Sequence, residues 1–384
     1  MLGQVTQEVS RGRHVAVVLP AILAREEPFV DGLVASLMRT LREAGEEPRR
    51  AVVANPDEQP IEPFASCLVF ADEQPVVVSD LLDHADAAGL TGVIDCTGLA
   101  RDHYPRFSDL LTRIAVESRP RSAERRPRFV VIGSRHLLPQ LPGGQTDVTF
   151  EAVWWWGRLT RWDIAARLAP ILEATPGEAV LREVRLETVL EVCRWDLDLA
   201  EELAVGWDGD PGSLAGTIEE VGKARGKTPG VVPRTGRPTA SQPDECLLDH
   251  WEDGRVDLWH RECAASPFDL LNVPNGIEHA VWAAQARVLL PWIEVRRQRL
   301  LRRLLDRYGD AVRRAAATLD GAGRTALEVG PLYQVAREVV PRTESALRDA
   351  ARQLMVCRNR LAHLQSLTVA DQSQLTRACA TLDG

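Results

Sequence analysis

His14-Val-Ala-Val-Val-Leu19, followed by Pro20-Ala-Ile-Leu-Ala-Arg-Glu-Glu-Pro-Phe29, decides the fold of the first part of the chain. Five apolar residues in a row, three of them valine, read as a strand buried on both faces of a parallel sheet. Comparable runs recur at Arg50 to Ala54, Cys67 to Ala71, Gly92 to Asp95, Phe129 to Gly133 and Asp147 to Val153. Helix-like patterns fill the intervals at Phe29 to Ala44, Ser79 to Ala88 and Phe107 to Val116. Alternation of this kind predicts an α/β unit over residues 1–160, with a doubly wound, mostly parallel sheet.

Beyond residue 160 the periodicity turns helical. Residues 161–221 hold two or three amphipathic helices between Trp162 and Leu203. Residues 222–245 contain four Gly, four Pro, five Lys or Arg and no aromatic residue, and read as a mobile basic linker. Residues 246–276 read as a connector, with a β-hairpin turning at Asp253-Gly254. Residues 277–384 read as an all-α bundle, broken near Gly321-Ala-Gly323 and at Pro341.

The chain has 384 residues, 45% hydrophobic and 26% charged, a composition that excludes disordered and collagen-like classes. No uninterrupted apolar run reaches the length of a membrane span, and Met1 to Arg13 has no apolar core of the signal-peptide type. Seven scattered cysteines fit reduced thiols, so a cytoplasmic location is expected. The net charge is −9, yet residues 277–384 carry 17 Arg against 11 acidic residues, a local excess of +6. Basic residues are 44 Arg and two Lys, a bias that reflects base composition more than function.

A doubly wound sheet invites a search for phosphate-binding loops at its carboxyl ends. The loop after the first strand has no Gly, Lys, Ser or Thr before Phe29, and Glu26 and Glu27 would repel phosphate. Gly222-Lys-Ala-Arg-Gly-Lys-Thr228 has three residues between its glycines instead of four, with no strand before it. Asp95 ends one strand, and Ser134-Arg135 follows another. These positions and the strand spacing resemble the core of P-loop ATPases of the AAA/STAND kind, over roughly residues 14–160. Without a phosphate loop, the resemblance implies a degenerate, non-hydrolysing relative. The plainer and favoured reading takes Asp95 and Arg135 as ordinary strand-end caps.

Cys246, His250, His260 and Cys263 have spacings found in structural zinc sites. The expected hairpin register puts His260 on the opposite face from Cys246 and His250, which argues against a metal. Trp154-Trp-Trp156 and Trp162 read mainly as core, an exposed pair being able to stack on nucleobases.

The most specific signal is Arg358-Asn-Arg-Leu-Ala-His363. Arg followed five residues later by His is uninformative in an Arg-rich chain, and it recurs at Arg255 and His260. The interposed Asn makes the match specific, since Asn occurs only at Asn55, Asn272, Asn275 and Asn359. Thr343 and Glu344 are suited to start the helix that carries it. Leu347, Ala350, Leu354, Leu361 and Leu364 form an apolar stripe. Asn359 and His363 then share a face, with Arg358 about 140° around the axis from His363.

This combination resembles the HEPN superfamily (higher eukaryotes and prokaryotes nucleotide-binding domains) over about residues 277–375. The resemblance implies a four- or five-helix bundle that pairs as a homodimer, two motifs forming one metal-independent endoribonuclease site. Arg358, Asn359 and His363 would be catalytic. Imidazole moves protons near neutral pH, and a guanidinium holds phosphate bidentately. Arg296, Arg297, Arg299, Arg302, Arg303 and Arg360 would bind RNA, and no cofactor or metal is implied. HEPN modules joined to ATPase-like domains suggest a bacterial conflict system, phage defence or toxin–antitoxin, with a sensing or docking N-terminal domain. A non-catalytic adaptor recruiting a partner ATPase, or an effector restrained by an antitoxin protein, are the alternative arrangements. A nucleotide-responsive switch in the sheet domain is a third reading.

Overall fold

A computed structural model describes residues 1–53, 59–68, 77–139, 148–232, 241–319 and 327–382. The chain divides into two compact units, each built from two stretches: Met1–Arg158 with Pro233–Ala264, and Leu159–Val232 with Ala265–Gly384. Residues 246–276, expected as one connector, are therefore shared between units, and residues 161–221 belong with the C-terminal helices.

The first unit is α/β. Its sheet contains β1 (His14–Val18), β2 (Pro48–Val52), β3 (Thr91–Asp95), β4 (Arg128–Gly133) and β5 (Phe150–Trp154). All neighbours are parallel, in the order β2-β3-β4-β1-β5, with Val15 opposite Val130 and Val18 opposite Trp154. The five residues of β1 are all buried, because strands flank it on both sides and helices cover its faces. On one face, Val5 and Val9 from helix Leu2–Ser10 and Val34, Leu37 and Leu41 from helix Glu27–Glu43 close over Val15 and Val17. On the edge, β2 exposes Arg49, Arg50 and Val52, and edge charge discourages pairing with another chain. After β1 the chain leaves toward β2, and after β4 it crosses to β5 on the other side. A crevice lies at the carboxyl ends of β1, β3 and β4, near this reversal of strand order.

Two expectations for this unit are corrected. Cys67 and Leu68 are buried in the turn after helix Glu62–Ser66 and not in a strand, while residues 69–71 lie outside the described residues. Cys67 instead fills space over the sheet, its Cβ 3.3 Å from where a Cβ on Gly92 would stand. A short apolar run has no periodicity to separate a strand from such a plug. Asp253-Gly254 is not a hairpin turn. It ends helix Leu248–Glu252, with Gly254 at φ +68°, Gly254 N–H on Trp251 O and Arg255 N–H on His250 O, a Schellman ending. The hairpin lies further on, as β6 (Val256–Trp259) and β7 (Glu262–Ala265), turning at His260 and Arg261, both with positive φ.

Among its described residues, the second unit is helical apart from loops and the end of β7 at Ala265. Helices Arg161–Glu173, Ala179–Cys193, Leu197–Gly206 and Pro211–Ala224 come first. The short helix Pro267–Leu270 leads into the long helix Gly276–Leu319, kinked at Gly309, and then Val329–Val339, Ser345–Ala362 and Val369–Ala380. Val288, Leu300, Leu304, Leu332, Leu354, Leu361 and Leu375 form one core, which Val180 and Val184 of helix Ala179–Cys193 complete. Arg287 binds Glu187 and Glu191 across the same contact, at 3.2 and 3.0 Å.

The expected linker begins inside structure. Gly222 lies in the last turn of helix Pro211–Ala224, where a Cβ would meet the Phe268 ring at 2.9 Å. Gly222 to Thr228 is thus a helix end and a turn, not a phosphate loop. Residues 233–240, with Arg234 and Arg237, lie outside the described residues, as does the expected break at Gly321 to Gly323.

Candidate functional site

Helix Ser345–Ala362 buries Leu347, Ala350, Ala351, Leu354, Cys357 and Leu361 against the bundle. Its start differs from expectation: Thr343 lies in the short turn Arg342–Glu344, and no side chain caps the helix. Its end carries the motif. His363 is the C-cap residue, its N–H bonded to Asn359 O and Arg360 O, both at 3.0 Å. Gln365 N–H then reaches Arg360 O at 3.0 Å, and Leu364 N–H reaches Leu361 O at 3.3 Å. This Schellman ending forces Leu364 to φ +61°, swinging its side chain out to 64% exposure. Leu364 therefore leaves the apolar stripe in which the spacing placed it.

The loop after the motif is held from the long helix. Trp282 Nε1 donates to Leu361 O at 2.6 Å, and the Gln285 amide pairs with the Leu367 main chain. Asn359 and His363 are exposed on this fixed end, and the Arg358 side chain is 43% exposed. Arg358 Nη1 donates to Asn359 Oδ1 at 3.4 Å, and its Nη2 lies 3.9 Å from the Glu328 carboxylate. Arg358 is turned toward Asn359 and Glu328, with no hydrogen bond to His363 among the described residues.

The other arginines have separate engagements. Arg360 binds Asp371, the residue that closes the capping box of helix Val369–Ala380 with Thr368. Arg297 is buried, clasps Glu294 and donates to Leu327 O at 2.6 Å. That pairing holds the Glu294 carboxyl down at about 2 and raises the Arg297 guanidinium. Arg296 lies over the Trp292 ring, 4.5 Å from its centre. Arg303 donates to Thr381 O at the end of helix Val369–Ala380, Arg299 is half-buried, and Arg302 is exposed. Of the arginines expected to bind RNA, Arg302 is the one left fully on the surface.

The first unit has its own candidate site, a crevice of about 400 Å³ at the carboxyl ends of β1, β3 and β4. Arg25, Thr97, Arg101, Tyr104, Arg135 and Glu252 are among its lining residues. Asp95 is not in the lining. One of its oxygens accepts from Thr97 N–H and Oγ1 at 3.1 and 2.7 Å, and the other faces Arg50 at 3.1 Å. It thus caps its strand end and ties the edge strand. Ser134 caps the turn Arg135–Leu137, and Tyr104 stacks on His136 at 5.9 Å. Burial first, then Arg135 and Arg101, lower the His136 imidazole. Arg135 binds Asp249 at 2.6 Å and faces Glu252 at 3.2 Å. Arg25, Arg101, Tyr104 and Glu252 were not singled out from sequence. Glu252 reaches the crevice from 231 residues beyond Ala21, a return that no local pattern announces.

Cys246 lies on the turn Glu245–Leu247, His250 on the following helix, His260 in the β6–β7 turn and Cys263 on β7. Among the described residues, no group of three or more His, Cys, Asp or Glu is placed to hold a metal. Trp154 and Trp156 are buried, and Trp155 packs edge-on against Phe29 at 4.9 Å. Trp162, expected in the core, is 80% exposed in the first turn of its helix.

No family model, curated protein or solved structure matches the chain. No helix among the described residues is long and apolar enough to cross a membrane.

Proposed function

We propose that the protein is a metal-independent endoribonuclease whose site is built from Arg358, Asn359 and His363. The supporting observation is their common placement: all three project from the solvent-facing end of helix Ser345–Ala362, and buried contacts fix the loop beyond them. Cleaving RNA without a metal requires a base for the 2′-hydroxyl, an acid for the departing 5′-oxygen and charge stabilisation at phosphorus. His363 moves the protons, Arg358 holds the non-bridging oxygens, and the Asn359 carbonyl orients Arg358. One imidazole cannot take and give a proton in the same displacement, so the complete site draws on a second copy of the chain. The first unit then senses or docks a trigger, an arrangement suited to a bacterial conflict system.

A second reading rests on Arg358 turning to Glu328 at 3.9 Å and not to His363. In that reading the bundle is a non-catalytic adaptor that recruits a partner ATPase. Incubating purified protein with labelled tRNA and mRNA in EDTA separates the two. The nuclease cuts, and His363→Ala does not; the adaptor cuts nothing.

A further inference from the structure

The crevice of the first unit combines free cations with a buried carboxylate that has come from far away in the chain. Arg25 and Arg101 are exposed on its wall and have no hydrogen-bond or ion-pair partner among the described residues. Glu252 is only 9% exposed. Its Oε2 accepts the Ala21 N–H at 2.7 Å, and its Oε1 lies 3.2 Å from Arg135 Nε. Neither Oε1 nor that Nε makes a hydrogen bond among the described residues, so the ion pair is close but misaligned. Burial raises the Glu252 carboxyl, opposed by the Ala21 N–H and by Arg135 and Arg101. A carboxylate seated this way costs desolvation that one aligned hydrogen bond does not offset. The other acidic residues of the lining, Asp249 and Asp253, are exposed to solvent, and Asp249 is the carboxylate bound to Arg135.

We infer that this crevice is an anion site occupied by the protein's own Glu252, and that its external ligand is a small phosphate-bearing molecule competing for the Ala21 N–H and Arg135. Main-chain N–H groups and guanidinium forks match phosphate oxygens in charge and geometry. Arg25 and Arg101 supply the charge that Glu252 leaves unused, and the volume admits a group of diphosphate size. The inference stands apart from the RNA reading, since none of these residues belongs to the second unit.

The test is calorimetric titration of the full chain with inorganic pyrophosphate, with succinate as the carboxylate control. Glu252→Gln keeps the shape and removes the competing charge, so it binds pyrophosphate at least tenfold more tightly than wild type. Adding Arg101→Ala to that variant weakens binding at least tenfold, and succinate binds neither form. Near-ultraviolet circular dichroism checks that Glu252→Gln is folded. If it does not fold, wild type against Arg25→Ala/Arg101→Ala decides: wild-type binding that the double variant loses supports the site, and absent or unchanged binding overturns it. A folded Glu252→Gln with no tighter binding, binding indifferent to Arg101, or equal binding of succinate overturns it as well.

Discussion

The Gln285 side-chain amide and the Leu367 main chain are joined by two hydrogen bonds, Nε2 to the Leu367 oxygen at 2.8 Å and the Leu367 N–H to Oε1 at 2.6 Å. Gln285 is 1% exposed and Leu367 fully buried. The pair holds the loop that follows Arg358, Asn359 and His363, so the motif's exposed end rests on a buried polar contact.

Gln285→Ala leaves the Leu367 N–H without its partner, while Gln372 still reaches the Leu367 oxygen at 3.1 Å. A buried unsatisfied group costs roughly 1–3 kcal/mol, and a cavity adds to it. A loss of about 3 kcal/mol in the urea unfolding free energy is expected. Gln285→Leu fills the space and avoids the cavity, so it should lose less than Gln285→Ala but still roughly 1–3 kcal/mol, because shape alone does not replace the donor and the acceptor.

Leu364 occupies a left-handed position that suits glycine. Its side chain is 64% exposed and leaves little packing to lose. Leu364→Gly should therefore stabilise the protein by about 1 kcal/mol, seen as a higher urea midpoint with an unchanged slope. A drop in the midpoint would show that the exposed leucine packs in solution.

Asp257 supplies the pH prediction. One of its oxygens accepts the Gly157 and Leu258 N–H groups, both at 2.7 Å. Burial pushes its carboxyl up to about 7 from an ordinary 3.8. Between those values the folded state keeps a proton that the unfolded chain has released. Stability therefore falls as pH rises from about 4 to about 7 and stays lower above that range. Asp257→Asn keeps the acceptor and removes the titration. Its stability relative to wild type should rise steadily over the same window, by a few kcal/mol in all. Chemical unfolding at pH 5 and pH 8 measures this, and a constant difference between the two proteins would refute it.

Much of the architecture is legible in the sequence, for identifiable reasons. β1, β3 and β4 are runs buried on both faces, and helices Glu27–Glu43 and Tyr104–Ser118 repeat apolar residues at helical spacing. Cys67 and Leu68 were misleading because a buried plug and a buried strand use the same residues. Asp253-Gly254 was misleading because a left-handed glycine ends a helix as readily as it turns a hairpin. At the candidate sites, residue types were legible and partners were not. Glu294 and Arg297 stand three apart on one helix, a spacing that allows their pairing, but the burial of Arg297 comes from the surrounding bundle. Arg360 meets Asp371 across the turn into the next helix, and Glu252 returns to the end of β1 across 231 residues, a contact that only long-range packing sets.

The central claim is that Arg358, Asn359 and His363 cleave RNA without a metal. Its most direct test is the rate and the end-group chemistry of cleavage of a labelled tRNA in EDTA, by wild type and by His363→Ala. Attack by the 2′-hydroxyl leaves a 2′,3′-cyclic phosphate and a 5′-hydroxyl. Wild type should produce those ends, and His363→Ala should be slower by about 10²- to 10⁴-fold. Equal rates in both proteins, fragments with 5′-phosphate ends, or no cleavage by wild type would contradict the account.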